Sequence, residues 1–208
     1  MKNVETEIKF SIPDTRLVQE IISDRALLQM TLLKSWDSMP ITAIYYDTPA
    51  LDLLNAGIVY RVRKEGDRFT ATVKKGGNPE SFLQQRQEWN FKVSSFLPDI
   101  NPFLHTGVGG QMKDVIGGRK MQELFSCRFQ RTFGLLLLEN HTRAELAVDV
   151  GEIVAGSETE PIREIELELK QGELSIMLEA GSFISERYGL VPETRSKFSR
   201  GIALLGIK

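Results

Sequence analysis

Two glutamates and a lysine alternate near the start of the chain, in the stretch Glu5-Thr6-Glu7-Ile8-Lys9. Alternate side chains of a β-strand lie on the same face, and residues two apart are roughly 7 Å from each other along it. Two carboxylates at this spacing can bind a hard divalent cation through oxygen. The neighbouring Lys9 would repel such a cation unless an anion were bound as well. The stretch therefore indicates a site for a metal-bound polyanion, although the same pattern is also typical of an ordinary solvent-facing strand.

Further charged residues fall on the polar faces of the predicted strands and separate by sign. Carboxylates concentrate on the first and last strands: Glu5, Glu7, Glu88, Glu145, Asp149, Glu164, Glu166 and Glu168. The basic residues on these faces are Lys9, Arg61, Arg63, Lys74, Arg86, Arg131, Arg143 and Lys170, and they concentrate on the strands from Arg61 to Arg86. Guanidinium groups bind phosphate oxygens in pairs, and carboxylates hold Mg²⁺ or Mn²⁺, which bridge phosphate oxygens. If these faces line a barrel, its interior is a charged tunnel suited to a polyphosphate with metal ions.

The hydrophobic periodicity predicts an α+β fold with antiparallel strands. Strands are predicted over 4–10, 43–47, 57–65, 69–75, 84–92, 129–138, 143–150 and 161–170, and helices over 14–24, 173–188 and 196–205. An eight-stranded antiparallel β-barrel flanked by helices is the economical arrangement, because closure removes the sheet edges. Residues 94–124 are predicted to form short helices and loops, in which Gly107, Gly109 and Gly110 are flexible connections. We expect a single domain over 1–208.

The composition limits the class of protein. A formal net charge of −2 argues against a broad nucleic-acid-binding surface. With one cysteine and two histidines, an internal disulfide is impossible and a zinc site of Cys and His ligands is nearly excluded. No apolar run reaches membrane-spanning length, and the start of the chain has no signal-peptide pattern. We therefore expect a cytoplasmic protein with no nucleic-acid or membrane partner; the sequence leaves its oligomeric state open.

In this arrangement the chain resembles the CYTH superfamily, the triphosphate tunnel metalloenzymes, and in particular its bacterial inorganic triphosphatases. The residues that carry the resemblance run through nearly the whole chain in order: Glu5-x-Glu7-x-Lys9, Tyr45-Tyr46-Asp47-Thr48, Arg61-x-Arg63, Lys74, Arg86-x-Glu88, Arg131, Asp149, Glu166-x-Glu168, Lys197 and Arg200. Bacterial members often continue into a second, helical, histidine-rich domain that these 208 residues do not contain. A stand-alone version and a shortened one both remain open.

The resemblance implies an eight-stranded tunnel and a role for each matching residue. The triphosphate would be bound by Lys9, Arg61, Arg63, Lys74, Arg131 and Lys197. Mg²⁺ or Mn²⁺ would be held by Glu5, Glu7, Asp149, Glu166 and Glu168. The catalytic step would involve Glu7, Lys9, Glu166 and Glu168. Arg86, Arg143 and Arg200 are further substrate-binding candidates because they fall on the predicted polar faces, as do Glu88 and Glu145.

The implied activity is metal-dependent hydrolysis of inorganic triphosphate to diphosphate and phosphate. Three alternatives remain open: a class IV-type adenylate cyclase that converts ATP to cyclic AMP and pyrophosphate, a thiamine triphosphatase, and a non-catalytic polyphosphate-binding sensor. The first two need a pocket for an organic group, and the sequence offers no assignable aromatic or amide cluster for one. The acidic pairs argue against the sensor, because phosphate binding alone needs only the basic residues.

Overall fold

A computed structural model describes residues 4–78 and 81–207 of the chain. Within these residues the strands are β1 (Val4–Ser11), β2 (Asp37–Asp47), β3 (Ile58–Glu65), β4 (Arg68–Lys75), β5 (Leu83–Val93), β6 (Gln122–Leu137), β7 (Arg143–Ala155), β8 (Glu158–Gln171) and β9 (Val191–Pro192). The helices are α1 (Thr15–Ser23), α2 (Arg25–Met30), α3 (Asp52–Asn55), α4 (Gly107–Ile116), α5 (Leu174–Tyr188) and α6 (Lys197–Leu204), with 3-10 turns at Asn101–Phe103 and Glu139–His141. None of these helices is long and apolar enough to cross a bilayer.

The first eight strands close into an antiparallel barrel in the order β5-β4-β3-β2-β6-β7-β8-β1. The barrel closes because β1 pairs with β8 on one side and with β5 on the other, Glu7 lying opposite Glu168 and Glu5 opposite Arg86. The two residues of β9 add to the end of β1. The predicted α+β fold with an eight-stranded barrel is therefore confirmed, and β1 joins the basic wall of the barrel to its acidic wall.

Two of the three apolar clusters lie outside the barrel, between its wall and the helices, and the third lies on inward-facing residues at the end of the barrel that α6 covers. One cluster includes Ile8 on β1 and Met177 on α5; a second includes Tyr60 on β3 and Met112 on α4. The third lies beside α6 and includes Ile202. Because strand side chains alternate between the two faces, apolar outer faces leave the polar side chains of the same strands inside.

Asp47 ends β2 and fixes the turn that leads to β3. Its carboxylate accepts hydrogen bonds from the backbone N–H groups of Thr48, Leu53 and Leu54 at 2.7, 2.9 and 2.8 Å. The N–H groups of Leu53 and Leu54 lie in the first turn of α3, where a helix has no internal acceptors. The buried Asp47 in the Tyr-Tyr-Asp-Thr motif therefore has a structural role, separate from the barrel interior.

The glycine-rich stretch after residue 106 differs from the prediction. Gly107, Gly109 and Gly110 are not flexible connections, because they belong to α4. The Thr106 hydroxyl caps this helix by accepting the N–H of Gly109 at 3.3 Å, and a Cβ on Gly109 would lie 2.0 Å from the carbonyl oxygen of Phe103. Glycine is needed here for close packing.

Two strands are longer than predicted. Strand β2 begins at Asp37 and strand β6 at Gln122, whereas the predicted strands begin at 43 and 129.

Helix α6 packs closely against β6 and carries Lys197 at its start. The hydroxyl of Ser196 caps the helix by accepting the N–H of Ser199 at 3.0 Å. Phe198 lies against Tyr45, with ring centroids 5.6 Å apart. Gly201 lies so close to β6 that an added Cβ would meet the ring of Phe125 at 2.3 Å. The absence of a side chain at Gly201 therefore allows α6 to reach the barrel.

Replacing this glycine tests whether the packing of α6 is rigid. We expect Gly201→Ala to lower the free energy of unfolding by about 1–3 kcal/mol, because the methyl group overpacks the contact with Phe125. The matched control is Gly110→Ala in α4, where an added Cβ has open space and should stabilise the protein by about 0.5–1 kcal/mol. Urea denaturation followed by circular dichroism measures both. Equal midpoints for the two variants would show that α6 moves away from β6 at little cost.

Candidate functional site

A cavity of about 540 Å³ occupies the interior of the barrel. Each of the eight barrel strands contributes lining side chains, and α6 contributes Lys197, Phe198 and Ser199. The predicted site residues that line the cavity are Glu5, Glu7, Lys9, Arg61, Arg63, Lys74, Arg86, Arg131, Glu166, Glu168 and Lys197. The structure thus brings together residues that are up to 192 positions apart in the sequence, as Glu5 and Lys197 are.

Three predicted residues lie elsewhere. Asp149 is fully buried behind the cavity wall. Arg200 is buried too; its guanidinium group donates to Glu160 at 2.7 Å and to Glu164 at 2.9 Å, so it joins α6 to β8. Arg143 is exposed and is not among the lining residues; it is the first residue of β7, at the end of the strand.

The ammonium group of Lys197 lies among three carboxylates from two neighbouring strands. Its Nζ is 2.7 Å from Asp149 Oδ2 and 3.0 Å from Glu166 Oε1, and it also bonds Glu164 Oε1. One oxygen from each of these carboxylates lies within 4.8 Å of the others, so the group, here called the carboxylate trio, has the spacing of a metal site. The prediction had not assigned Glu164 as a ligand.

Arg131 binds two members of the same trio, Asp149 and Glu166. Its Nε and Nη2 atoms donate to the two oxygens of Asp149, both at 2.7 Å, and Nη2 also reaches Glu166 at 2.5 Å. Burial by itself raises the pKa of Glu166, but the charges of Lys197 and Arg131 outweigh it and hold that pKa well below its usual range. Burial raises the pKa of Glu164 despite the neighbouring Lys197.

A second charged group lies where β1 meets β5. Lys74 Nζ is 2.6 Å from Glu5 Oε2 and 2.7 Å from Glu88 Oε2, and Arg86 bonds Glu7 and lies 3.6 Å from Glu5. Burial raises the pKa of Glu5 to about 7; Lys74 opposes this shift, whereas the charges of Glu7 and Glu88 add to it. Glu5 therefore binds a proton in the pH range where most carboxyl groups have lost theirs.

Several basic groups in the cavity have unused hydrogen-bonding capacity. The Nε atoms of Arg61, Arg63 and Arg86 are buried and have no hydrogen-bond partner among the described residues. Lys9 is buried and lines the cavity, yet it makes no ion pair with the described part of the chain. Burial and the neighbouring charge of Arg61 lower the pKa of Arg63 to about 10. Buried donors without acceptors are costly, so these groups are suited to the oxygens of an anionic ligand.

The closed barrel and its charged interior define a tunnel-type β-barrel with a candidate site for an anion and a metal ion. The sequence model of the CYTH domain matches residues 3–202, so the chain belongs to the CYTH domain family. Membership implies dependence on a divalent metal, and the carboxylate trio provides an acidic cluster for such an ion.

Individual relatives agree with this assignment. The chain is 32% identical over 164 residues to the inorganic triphosphatase of Haemophilus influenzae; the match covers 79% of this chain and 45% of that protein, so the chain spans about half its length. Solved structures share the fold. An adenylyl cyclase candidate from Hippeastrum, described as having a dominant triphosphatase activity, superposes with a TM-score of 0.65 at 18% identity, covering 98% of this chain and 97% of that one. An adenylate cyclase candidate from Bacillus halodurans superposes with a TM-score of 0.59 at 14% sequence identity, covering 95% of this chain and 98% of that one.

The contacts of Lys197 lead to a prediction about stability. Lys197→Met keeps the aliphatic stem but removes the ammonium group, so three buried carboxylates lose a counter-charge. In chelator-treated protein near neutral pH we expect a loss of roughly 3–5 kcal/mol in the free energy of unfolding. Addition of Mn²⁺ should raise the thermal midpoint more in the variant than in the unmodified protein, because a divalent cation replaces the missing charge.

Lys170→Met is the matched control. Lys170 lies 2.7 Å from Glu168, but its side chain is 37% exposed, so its loss should cost only about 0–1 kcal/mol. Equal losses in the two variants would contradict a special role for Lys197 as counter-ion of the trio.

The raised pKa of Glu5 predicts a pH dependence of stability. Between its ordinary value of 4.5 and about 7, the folded protein keeps a proton that the unfolded chain has released, so stability falls as pH rises through this window. The contribution is roughly 3 kcal/mol. Glu5→Gln cannot ionise and should lack this part of the decline. Urea unfolding at several pH values in chelator measures it, and an identical decline in both proteins would assign the effect to other groups.

Proposed function

We propose that the protein hydrolyses inorganic triphosphate to diphosphate and phosphate inside the barrel cavity, with Mg²⁺ or Mn²⁺ as cofactor. One observation carries the proposal: the cavity is lined by buried guanidinium N–H groups that have no acceptor among the described residues, and also by Glu166, which belongs to a carboxylate trio spaced for a metal ion. The family assignment and the likeness to the Haemophilus inorganic triphosphatase support it.

The basic wall would bind the phosphate oxygens. Arg61 and Arg63 point into the cavity from β3, and Lys74 and Arg86 face them from β4 and β5. Guanidinium groups match the geometry of phosphate oxygens in pairs, and lysine adds a compact charge. Lys9, which has no ion-pair partner among the described residues, would neutralise charge on the phosphate under attack.

The balance of charge supports a metal cofactor. Among the described residues, nine basic and seven acidic side chains line the cavity, and the buried Asp149 and Glu164 behind the wall make the two signs equal. A triphosphate carries several negative charges, which side chains already paired with one another neutralise only in part. The donors fit a hard cation such as Mg²⁺ or Mn²⁺, because they are all carboxylate oxygens.

We propose that the trio, which adds Glu164 to the predicted Asp149 and Glu166, holds one such ion, with the predicted ligands Glu5, Glu7 and Glu168 as a second group. When bound, the metal would neutralise phosphate charge and lower the pKa of coordinated water. The proposal thus widens the predicted ligand set by one residue and keeps its other members.

The acidic residues would divide the remaining work according to their surroundings. Glu166 stays ionised because of Lys197 and Arg131, so it is suited to orient an attacking water molecule rather than to take its proton. Burial raises the pKa of Glu168, although Lys170 opposes the shift, and a base works best when its pKa approaches the ambient pH. We propose that Glu168 accepts the proton while the water oxygen attacks the terminal phosphorus and diphosphate leaves. Glu7, directly opposite Glu168 in the register, would help to hold that water.

The alternatives have less support. An adenylate cyclase or a thiamine triphosphatase needs a surface for an organic group, but two aromatic side chains of the cavity already contact protein groups. Phe129 lies 5.0 Å from the ammonium of Lys197, and Tyr45 stacks on Phe125 at 4.6 Å. A polyphosphate sensor would not need the carboxylate trio. The cytoplasmic location, the absence of nucleic-acid and membrane partners, and a single domain over 1–208 remain predictions within this proposal.

Phosphate release from inorganic triphosphate, ATP and thiamine triphosphate, measured in parallel, tests the proposal. With Mg²⁺ or Mn²⁺ we expect rapid release from inorganic triphosphate, little from the other two, and none in EDTA. Conversion of ATP to cyclic AMP and pyrophosphate would instead establish the cyclase. Tight binding of triphosphate without turnover under any metal condition would establish the sensor.

Variants at the acidic wall provide the controls for this assay. Glu7→Gln and Glu166→Gln should each reduce turnover at least ~100-fold, with circular dichroism unchanged. Glu20→Gln, on the exposed face of α1, should turn over at the unmodified rate. Rates like the unmodified protein's in both Glu7→Gln and Glu166→Gln would remove these residues from the mechanism.

A further inference from the structure

One carboxylate stands at the rim of the basic wall. Glu65 is the last residue of β3, next to the β3–β4 hairpin, and its side chain lines the cavity. On the inward face of β3 it follows Arg61 and Arg63 at two-residue intervals, so it lies roughly 7 Å beyond Arg63 along the strand. The row of cations on this strand therefore ends in a negative charge.

The charge of Glu65 is held by two arginines. Its Oε1 lies 2.9 Å from Arg63 Nη2, and its Oε2 lies 2.9 Å from Arg68 Nη2. Burial raises the pKa of Glu65, but the charges of Arg63 and Arg68 outweigh it and keep that pKa below its usual range. The carboxylate is therefore ionised near neutral pH, and it occupies an N–H group of Arg63 on the side away from Arg61.

The other end of the row is occupied by α6. Tyr45 lies opposite Arg61 in the strand register, and the ring of Phe198 packs against Tyr45. Val59, which precedes Arg61 on the inward face, belongs with Tyr45 and Phe198 to the third apolar cluster, the one beside α6. A linear polyphosphate bound along Arg61 and Arg63 is thus blocked by protein on the α6 side, and any additional phosphate must extend towards Glu65.

We propose that Glu65 limits the length of the polyphosphate that the cavity accepts, which makes the site selective for triphosphate over longer chains. This inference rests on the proposed function and narrows its substrate. A chain of three phosphates is held by the basic wall short of the rim, whereas a fourth phosphate approaches the Glu65 carboxylate. Like charges brought together in a partly desolvated site repel, and such repulsion is an effective source of specificity.

The test compares tripolyphosphate with tetrapolyphosphate as substrates of the same protein. Initial rates of phosphate release give kcat/KM for each, and the ratio of the two constants is the readout. Glu65→Gln keeps the size of the side chain and removes its charge, so the tetrapolyphosphate-to-tripolyphosphate ratio should rise about tenfold. The control is Asp67→Asn, which removes an exposed charge from the same hairpin outside the cavity lining and should leave the ratio unchanged.

A second variant predicts the opposite sign and guards against misfolding of the first. Arg68 has a side chain that is 66% exposed, so Arg68→Gln should fold normally while it removes one of the two charges that offset Glu65. The ratio should then fall below that of the unmodified protein. If Glu65→Gln lowers kcat/KM for both substrates in equal proportion, Glu65 only positions Arg63 and the proposal is wrong. A ratio that rises equally in Asp67→Asn would also overturn it.

Failure of the proposed function would be visible separately. If the unmodified protein hydrolyses neither substrate with Mg²⁺ or Mn²⁺, the hydrolase assignment fails, and the length limit is then tested by calorimetric binding of the two polyphosphates in metal-free buffer. Tighter relative binding of tetrapolyphosphate by Glu65→Gln, with no change in Asp67→Asn, would still support the limit. Equal relative affinities in the unmodified protein and Glu65→Gln would overturn it.

Discussion

The pairing of opposite charges inside the barrel is the constraint on which the rest of the structure depends. Charges removed from water are stable only when partners compensate them. Here the partners come from different secondary-structure elements: Arg131 on β6 binds Asp149 on β7, and Lys197 on α6 binds both Asp149 and Glu166. Each ion pair therefore fixes the position of one element relative to another. A polar interior is possible because two apolar clusters lie outside the barrel, under the helices, while the third fills the end of the barrel against α6.

Strand β1 lies between the acidic and the basic walls of the barrel. It pairs with the acidic β8 on one side and the basic β5 on the other, so Glu7 lies beside Glu168 and also bonds Arg86. The three charged residues at the start of the chain thus lie at the junction of the two walls. A ligand that carries phosphate and metal together requires both kinds of wall within reach of each other, and β1 is the strand that brings them together.

Much of the fold and site could be predicted because successive side chains of a strand point to opposite faces of the sheet, so position in the sequence indicates the face. The inward residues of β1, β3 and β8 follow this rule, which explains why Glu7, Arg61 and Glu166 were identified correctly as cavity residues. The rule does not predict where the cavity ends along a strand: Arg143 alternates with Glu145 but, as the first residue of β7, lies exposed outside the lining. The rule also does not predict how deeply a side chain is buried: Asp149 shares the inward face of β7 but is buried behind the lining residues.

Other features depend on packing between distant elements and have no local signal. Glu164 alternates with Glu166 and was visible as a polar strand residue, but only the approach of Lys197 and Arg200 from α6 shows that it belongs to the site. The helical state of the glycine stretch in α4 likewise depends on a contact with Phe103 that the sequence does not reveal. Periodicity predicts elements and faces, whereas these contacts arise from tertiary packing.

The pairing of β1 with β5 has a consequence for the movement of molecules into and out of the cavity. Five residue pairs, from Val4 opposite Gln87 to Ile8 opposite Leu83, join the first strand to the fifth, so the barrel wall has no seam that could part without breaking a row of backbone hydrogen bonds. Ligands must therefore enter and leave along the barrel axis, at the end opposite α6. We expect entry and exit to depend on side-chain movements at that rim, where Glu65 and Arg68 lie, rather than on opening of the sheet.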